Sequence, residues 1–213
     1  YRINPDGSLG ERNDVNTGNI EHKMGIKGSA TCTLNFGDEG KCIGELLGKE
    51  REGMRVMFNM MNEARLEVGM QSLGHASAAL EHAVAYAKER IQSAPVWEMK
   101  NPDAKAIPII QHPDVRRDLL WMKAHVEGIR AMNYFAAFCM DQARSFPGER
   151  EKWQGLVELL TPVCKAYSSD KAMEICSKAI DVYGGYGYCQ EYPVEQYMRD
   201  CKIACIYEGT NGI

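Results

Sequence analysis

Residues 53–92 read "GMRVMFNMMNEARLEVGMQSLGHASAALEHAVAYAKERIQ", a stretch without proline that sets apolar side chains three and four residues apart for roughly ten turns. That pattern is one long amphipathic helix, and its apolar face needs partners. The stretch that follows, "SAPVWEMKNPDAKAIPIIQHPD", carries Pro95, Pro102, Pro108 and Pro113. Each proline lacks an amide donor and disfavours helix before it, so this segment is a crossing loop. Pro113 suits a first helical turn and Asp114 its positive end, which predicts a second helix over residues 113–144, broken by "SFPGER". A third is predicted over 149–183 with a bend near Thr161-Pro162, and a short one over 193–205 after "GGYGY". The fold class is mainly α, an antiparallel four-helix bundle.

Before residue 50 the chain is rich in Gly, Asn, Asp and Thr, with short alternating stretches such as "SATCTLNF". These read as turns and a few strands that bury too little to make a domain alone. The expected division is a β region over 1–50 and a helical domain over 51–213. The opening Tyr1 and the abrupt end at Ile213 suggest a fragment of a longer protein.

A formal net charge of -4 and the lack of a Lys/Arg block argue against nucleic acid or an anionic membrane as partner. No apolar run is long enough to span a bilayer and the first residues do not read as a charged-then-apolar leader, so a soluble, non-secreted protein is expected. The eight cysteines include Cys139, Cys164, Cys176, Cys201 and Cys205 inside helical patterns, which reads as buried thiols in a reducing compartment.

Few residues suggest chemistry by spacing alone. Glu208 in "IYEGTNGI" lies between Tyr207 and a Gly-Thr-Asn-Gly run; it is either a solvated loop carboxylate or a positioned base. Gly184, Gly185 and Gly187 end a helix and permit close backbone approach, yet no strand precedes them as a dinucleotide fingerprint requires. Arg65 and Arg90 read as helix-surface charges, and the stripe Met54, Met57, Met61 as core filler. Ser168-Ser169-Asp170 reads as a turn or cap. His75 and His82 share a face, as do Cys201 and Cys205, without the companions a zinc site needs, so no metal is expected.

Taken in order, "EHKMGIKGSATCTL", "MNEARLEVGMQSLG", "LLTPVCKAYSSDKA", "GGYGYCQEYPVEQYMRD" and "IYEGTNGI" resemble the acyl-CoA dehydrogenases. The resemblance implies that residues 1–50 end a middle β-domain and that the rest is the C-terminal bundle, truncated after the catalytic loop. The long loop before Pro113 is similar to the larger branch of the family. The implied reaction is FAD-dependent α,β-dehydrogenation of an acyl-CoA thioester to the trans-2-enoyl-CoA, with Glu208 taking the α-proton and the β-hydrogen leaving as hydride to flavin N5. The Glu208 N–H and a flavin ribityl hydroxyl are the implied donors to the enolate oxygen. Substrate that expels water makes the carboxylate a stronger base.

Some relatives carry the base immediately before the arginine that matches Arg65, but Ala64 stands there in this chain. The resemblance further implies Arg90, Gln92, Gly184, Gly185 and Thr210 at FAD, and Arg65, Tyr207 and Gly209 at the acyl-CoA. "RIQSAP" and Asp181 depart from the usual family residues around these cofactor contacts. Electron-transferring flavoprotein and further copies of the subunit are the implied partners, in a bacterial cytoplasm or mitochondrial matrix. Two other readings stay open: a non-catalytic oligomerisation module, and an acyl-CoA oxidase.

Overall fold

The computed structural model describes residues 1–212, apart from the side chains of Asn59 and Asn62. The last residue of "IYEGTNGI", Ile213, lies outside the described residues. The chain divides into two compact units, Tyr1–Asn59 and the residues from Met60 onward.

The first unit is built on two antiparallel strands, β1 (Val15–Ile20) and β2 (Cys32–Phe36), in register Val15 to Phe36 with an irregularity between Thr17 and Ile20. Asp14 ties down the turn after β2, its Oδ2 accepting from the Glu39 and Lys41 amides at 2.8 and 3.1 Å. No apolar side chain before Leu66 is buried among the described residues.

Four helices follow: α1 (Gly53–Glu89), α2 (Pro113–Ser145), α3 (Arg150–Tyr183) and α4 (Val194–Cys201). From α1, Leu73, Ala76, Ala79, Ala83 and Ala87 enter a core shared with Leu119, Met122, Val126 and Ile129 of α2 and Ala172, Ile175 and Ala179 of α3. The alanines are fully buried, and their small side chains let neighbouring helices approach closely. Gly69 carries this furthest, because an added Cβ would stand 3.2 Å from Asn133 Oδ1 and 3.3 Å from the Cys164 carbonyl. No helix among the described residues is long and apolar enough to cross a membrane.

The mainly helical expectation holds, with four corrections of detail. First, α1 ends at Glu89, and Ile91 leaves it to bridge Pro108. Backbone bonds Gln92 N–H to Ile107 C=O (3.0 Å) and Ile109 N–H to Arg90 C=O (2.8 Å) close the crossing loop at its base, outcompeting further helix. Second, the helical assignment of α3 is continuous through Pro162, which is exposed. Third, Met54 and Met57 are 63% and 37% exposed, because the buried apolar side chains of α1 begin only at Leu66. Fourth, Ser168 and Ser169 are neither turn nor cap but fully buried inside α3; Ser169 Oγ donates to the Lys165 carbonyl one turn back at 2.8 Å.

The cysteines are free thiols, with Cys139, Cys164, Cys176 and Cys201 buried and Cys205 only half-buried. Burial pushes the Cys164 thiol up to about 11, which keeps it protonated and unreactive.

Candidate active site

After α4 a 3-10 turn, Lys202–Cys205, carries the chain into the loop that holds Glu208. Glu208 adopts φ +54, a left-handed conformation rare for a side-chain-bearing residue, and Gly209 follows at φ +95. Such a conformation costs about 1–2 kcal/mol and persists only where surrounding contacts enforce it.

Those contacts come from two helices. Arg65 of α1 donates from Nε to the Glu208 carbonyl at 3.2 Å, and Lys165 of α3 donates from Nζ to the Gly209 carbonyl. Lys165 also reaches Asn211 Oδ1 at 2.8 Å, and Asn211 Nδ2 donates to Ser169 Oγ and Asp170 Oδ1, both at 2.8 Å. The Asn211 N–H closes the loop onto the Cys205 carbonyl at 3.1 Å. Tyr207, just before Glu208, donates its hydroxyl to Gln71 Oε1 of α1. Burial pushes the Tyr207 hydroxyl up, so it stays a protonated donor.

The structure therefore brings Glu208, Gly209, Tyr207 and Arg65 into one network. Thr210 is exposed on the same loop. Five members escaped the sequence reading in this role: Gln71, Lys165, Ser169, Asp170 and Asn211. One signal was available, since Lys165 falls in the buried phase of α3 with Thr161, Ser168 and Ala172. A lysine on the apolar face of a helix needs an acceptor.

A second assembly lies where α1 and α3 end. Arg90, Gln92, Gly184 and Gly185 line one open cleft of about 1150 Å³, together with Tyr86, Met99, His112, Asp181 and Tyr186. Thr210 is not among its lining residues. Three of its lining rings are held by aromatic contacts: Tyr86 stacks on Tyr183 at 4.1 Å, and Tyr192, outside the lining, meets Tyr183 edge-on at 5.8 Å and stacks on Tyr186 at 5.2 Å. The Arg90 guanidinium lies 5.8 Å from the Tyr186 ring centre. His112 Nε2 bonds the Gln92 carbonyl at 2.8 Å and fixes the edge of the cleft.

The glycines differ in what they require. Gly184 turns the chain at φ +61. Gly187 packs so tightly that an added Cβ would stand 2.6 Å from the Ile180 carbonyl. Gly185 has neither restriction, since an added Cβ would meet nothing within 4 Å. Its bare backbone is open to the cleft, which suits close approach by a planar or phosphorylated ligand.

Residues 51–213 match the sequence model of the acyl-CoA dehydrogenase C-terminal domain. The chain belongs to the acyl-CoA dehydrogenase family. It is 44% identical over 220 residues to a butyryl-CoA dehydrogenase of Syntrophomonas wolfei, covering 100% of this chain and 36% of that protein. It is 33% identical over 199 residues to the caffeyl-CoA reductase-Etf complex subunit CarC of Acetobacterium woodii, covering 93% of this chain and 46% of that one. Among solved structures, the acyl-CoA dehydrogenase of Bacillus anthracis complexed with FAD superposes with a TM-score of 0.79 at 28% identity, over 94% of this chain and 34% of that one. This acyl-CoA dehydrogenase family chain thus spans less than half the length of each of these relatives.

Proposed function

We propose that the flavoprotein containing this chain dehydrogenates an acyl-CoA thioester between its α and β carbons, yielding the trans-2-enoyl-CoA, with Glu208 as the base. The observation that carries this reading is the constrained loop, in which a carboxylate is held at an unfavourable φ by side chains from two helices. Strain of that kind is kept where a group must be aimed.

The chemistry asked of the chain has three parts. Glu208 removes the α-proton and holds it on its carboxylate. Charge then develops on the thioester oxygen, where a preorganised donor is worth several kcal/mol. The Glu208 N–H suits that role, because it has no backbone acceptor among the described residues. Tyr207, anchored on Gln71, and Arg65 wall the loop and fit the acyl-CoA side.

FAD fits the second assembly: a forked cation for phosphate in Arg90, aromatic rings, and the bare backbone of Gly184 and Gly185. When bound, the flavin supplies the two-electron acceptor for the hydrogen leaving the β-carbon. The Etf complex named for one relative supports an electron-transferring flavoprotein as redox partner. Residues 1–50 then belong to a β-domain of the whole protein, which works as a homo-oligomer in a reducing compartment.

The test is Glu208→Gln in the complete flavoprotein, assayed with butyryl-CoA and palmitoyl-CoA. Turnover is expected to fall by at least about 1000-fold, given the role of a positioned base together with its orientation, with the flavin spectrum retained. Near-parental turnover would sink the assignment. Peroxide release without need of an electron-transfer protein would redirect the reading to an oxidase.

A further inference from the structure

Lys165 is 4% exposed, at mid-length of α3, on the stripe that otherwise packs the bundle core. A buried ammonium is costly unless its donors are matched. No carboxylate makes an ion pair with it among the described residues, and its matched acceptors are the Gly209 carbonyl and Asn211 Oδ1. Both belong to the loop of Glu208. The far side of Asn211 is held in turn by Ser169 and Asp170, one turn further along α3, so the lysine's partner is itself fixed.

Arg65 grips the carbonyl of Glu208 and Lys165 the next one along. Two consecutive peptide planes are therefore set by cations from different helices; they meet at Gly209, φ +95, and the left-handed Glu208 immediately precedes the first of them. We propose that Lys165 is a positioning residue for the base, fixing the main chain of the loop so that the Glu208 carboxylate and N–H are presented together. The proposal rests on Glu208 being the base.

A bulk role in stability predicts something different. A lysine that merely fills the core lowers stability when it is replaced, but leaves kcat at the parental level in an enzyme that still folds. Lys165 faces Arg65 of α1, Asp170 of α3, Cys205 of the 3-10 turn and Glu208 itself. Burial lowers the proton affinity of its ammonium while Cys205, Asp170 and Glu208 raise it and Arg65 lowers it.

The test uses the complete FAD-loaded enzyme with Lys165→Met, Lys165→Gln and Glu208→Gln, assayed with butyryl-CoA and palmitoyl-CoA. For Lys165→Met the expected result is retained flavin, acyl-CoA binding within about threefold of the parent, and a kcat lower by roughly 10- to 100-fold, the scale of a small misplacement. Lys165→Gln keeps a donor without the charge, and is expected to recover part of kcat at the same acyl-CoA binding. If Lys165→Met does not fold, Lys165→Gln alone carries the test through its lowered kcat at parental acyl-CoA binding. Parental kcat in a folded Lys165 variant, with Glu208→Gln inactive, overturns the positioning role and leaves the base intact. Active Glu208→Gln overturns both. Loss of fold in both lysine variants assigns Lys165 to stability and also overturns the proposal.

Discussion

At the scale of single residues, glycine serves two separate ends within one short run. Gly187 is a packing glycine, with an added Cβ 2.6 Å from the Ile180 carbonyl and 2.8 Å from Tyr183 Cβ. Gly187→Ala is expected to cost about 1–3 kcal/mol, read as a lower unfolding temperature; an unchanged one would deny the close contact. The neighbouring Gly185 is under no such pressure and is open to the cleft. "GGYGY" announces a turn in the sequence, but which glycine packs and which is left bare depends on atoms from the preceding helix. Glu208 is similar: spacing alone allowed a base or a solvated carboxylate, and its hold on Arg65 links residues 143 apart. Local pattern does not encode a contact at that separation.

At the scale of elements, the long helices were legible because their three-and-four periodicity persists for many turns and prolines mark the crossings. The polar insert in α3 was not. Serine and aspartate usually compete with helical bonding, which suggests a cap, yet Ser169 satisfies its hydroxyl on the preceding turn and the helix runs on. A half-buried histidine on α1 gives this helix a pH signature. Burial holds His75 below the ordinary histidine value, with Asp200 partly opposing. Above about pH 6.5 folded and unfolded chains are both neutral at this site and its full contribution is present. As pH falls further, the unfolded chain binds a proton that the folded chain resists, and stability is lost until the folded value is passed. Unfolding temperatures measured at about pH 7.5 and about pH 5.5 are expected to differ more for the parent than for His75→Gln. Equal slopes would remove His75 from the account.

At the scale of the whole molecule, stability is unevenly distributed. The unit from Met60 onward holds every buried apolar side chain described, while Tyr1–Asn59 offers a two-stranded sheet with its side chains largely in water. Isolated two-stranded sheets are marginal in water. Amide hydrogen exchange of this chain is expected to be fast across residues 1–50 and slow along α2 and α3. Protection of β1 and β2 equal to that of α3 would contradict this.

The tethers around the closing loop have one more property. Arg65 and Lys165 grip main-chain carbonyls, and Asn211 supplies the side-chain contacts; none of these bonds uses the Glu208 carboxylate. Mount and side chain are therefore physically separate. Under the proposed function, a single codon at position 208 would change the chemistry the loop offers while leaving every tether that holds the loop in place, which makes this position a natural point for chemical reprogramming of the scaffold.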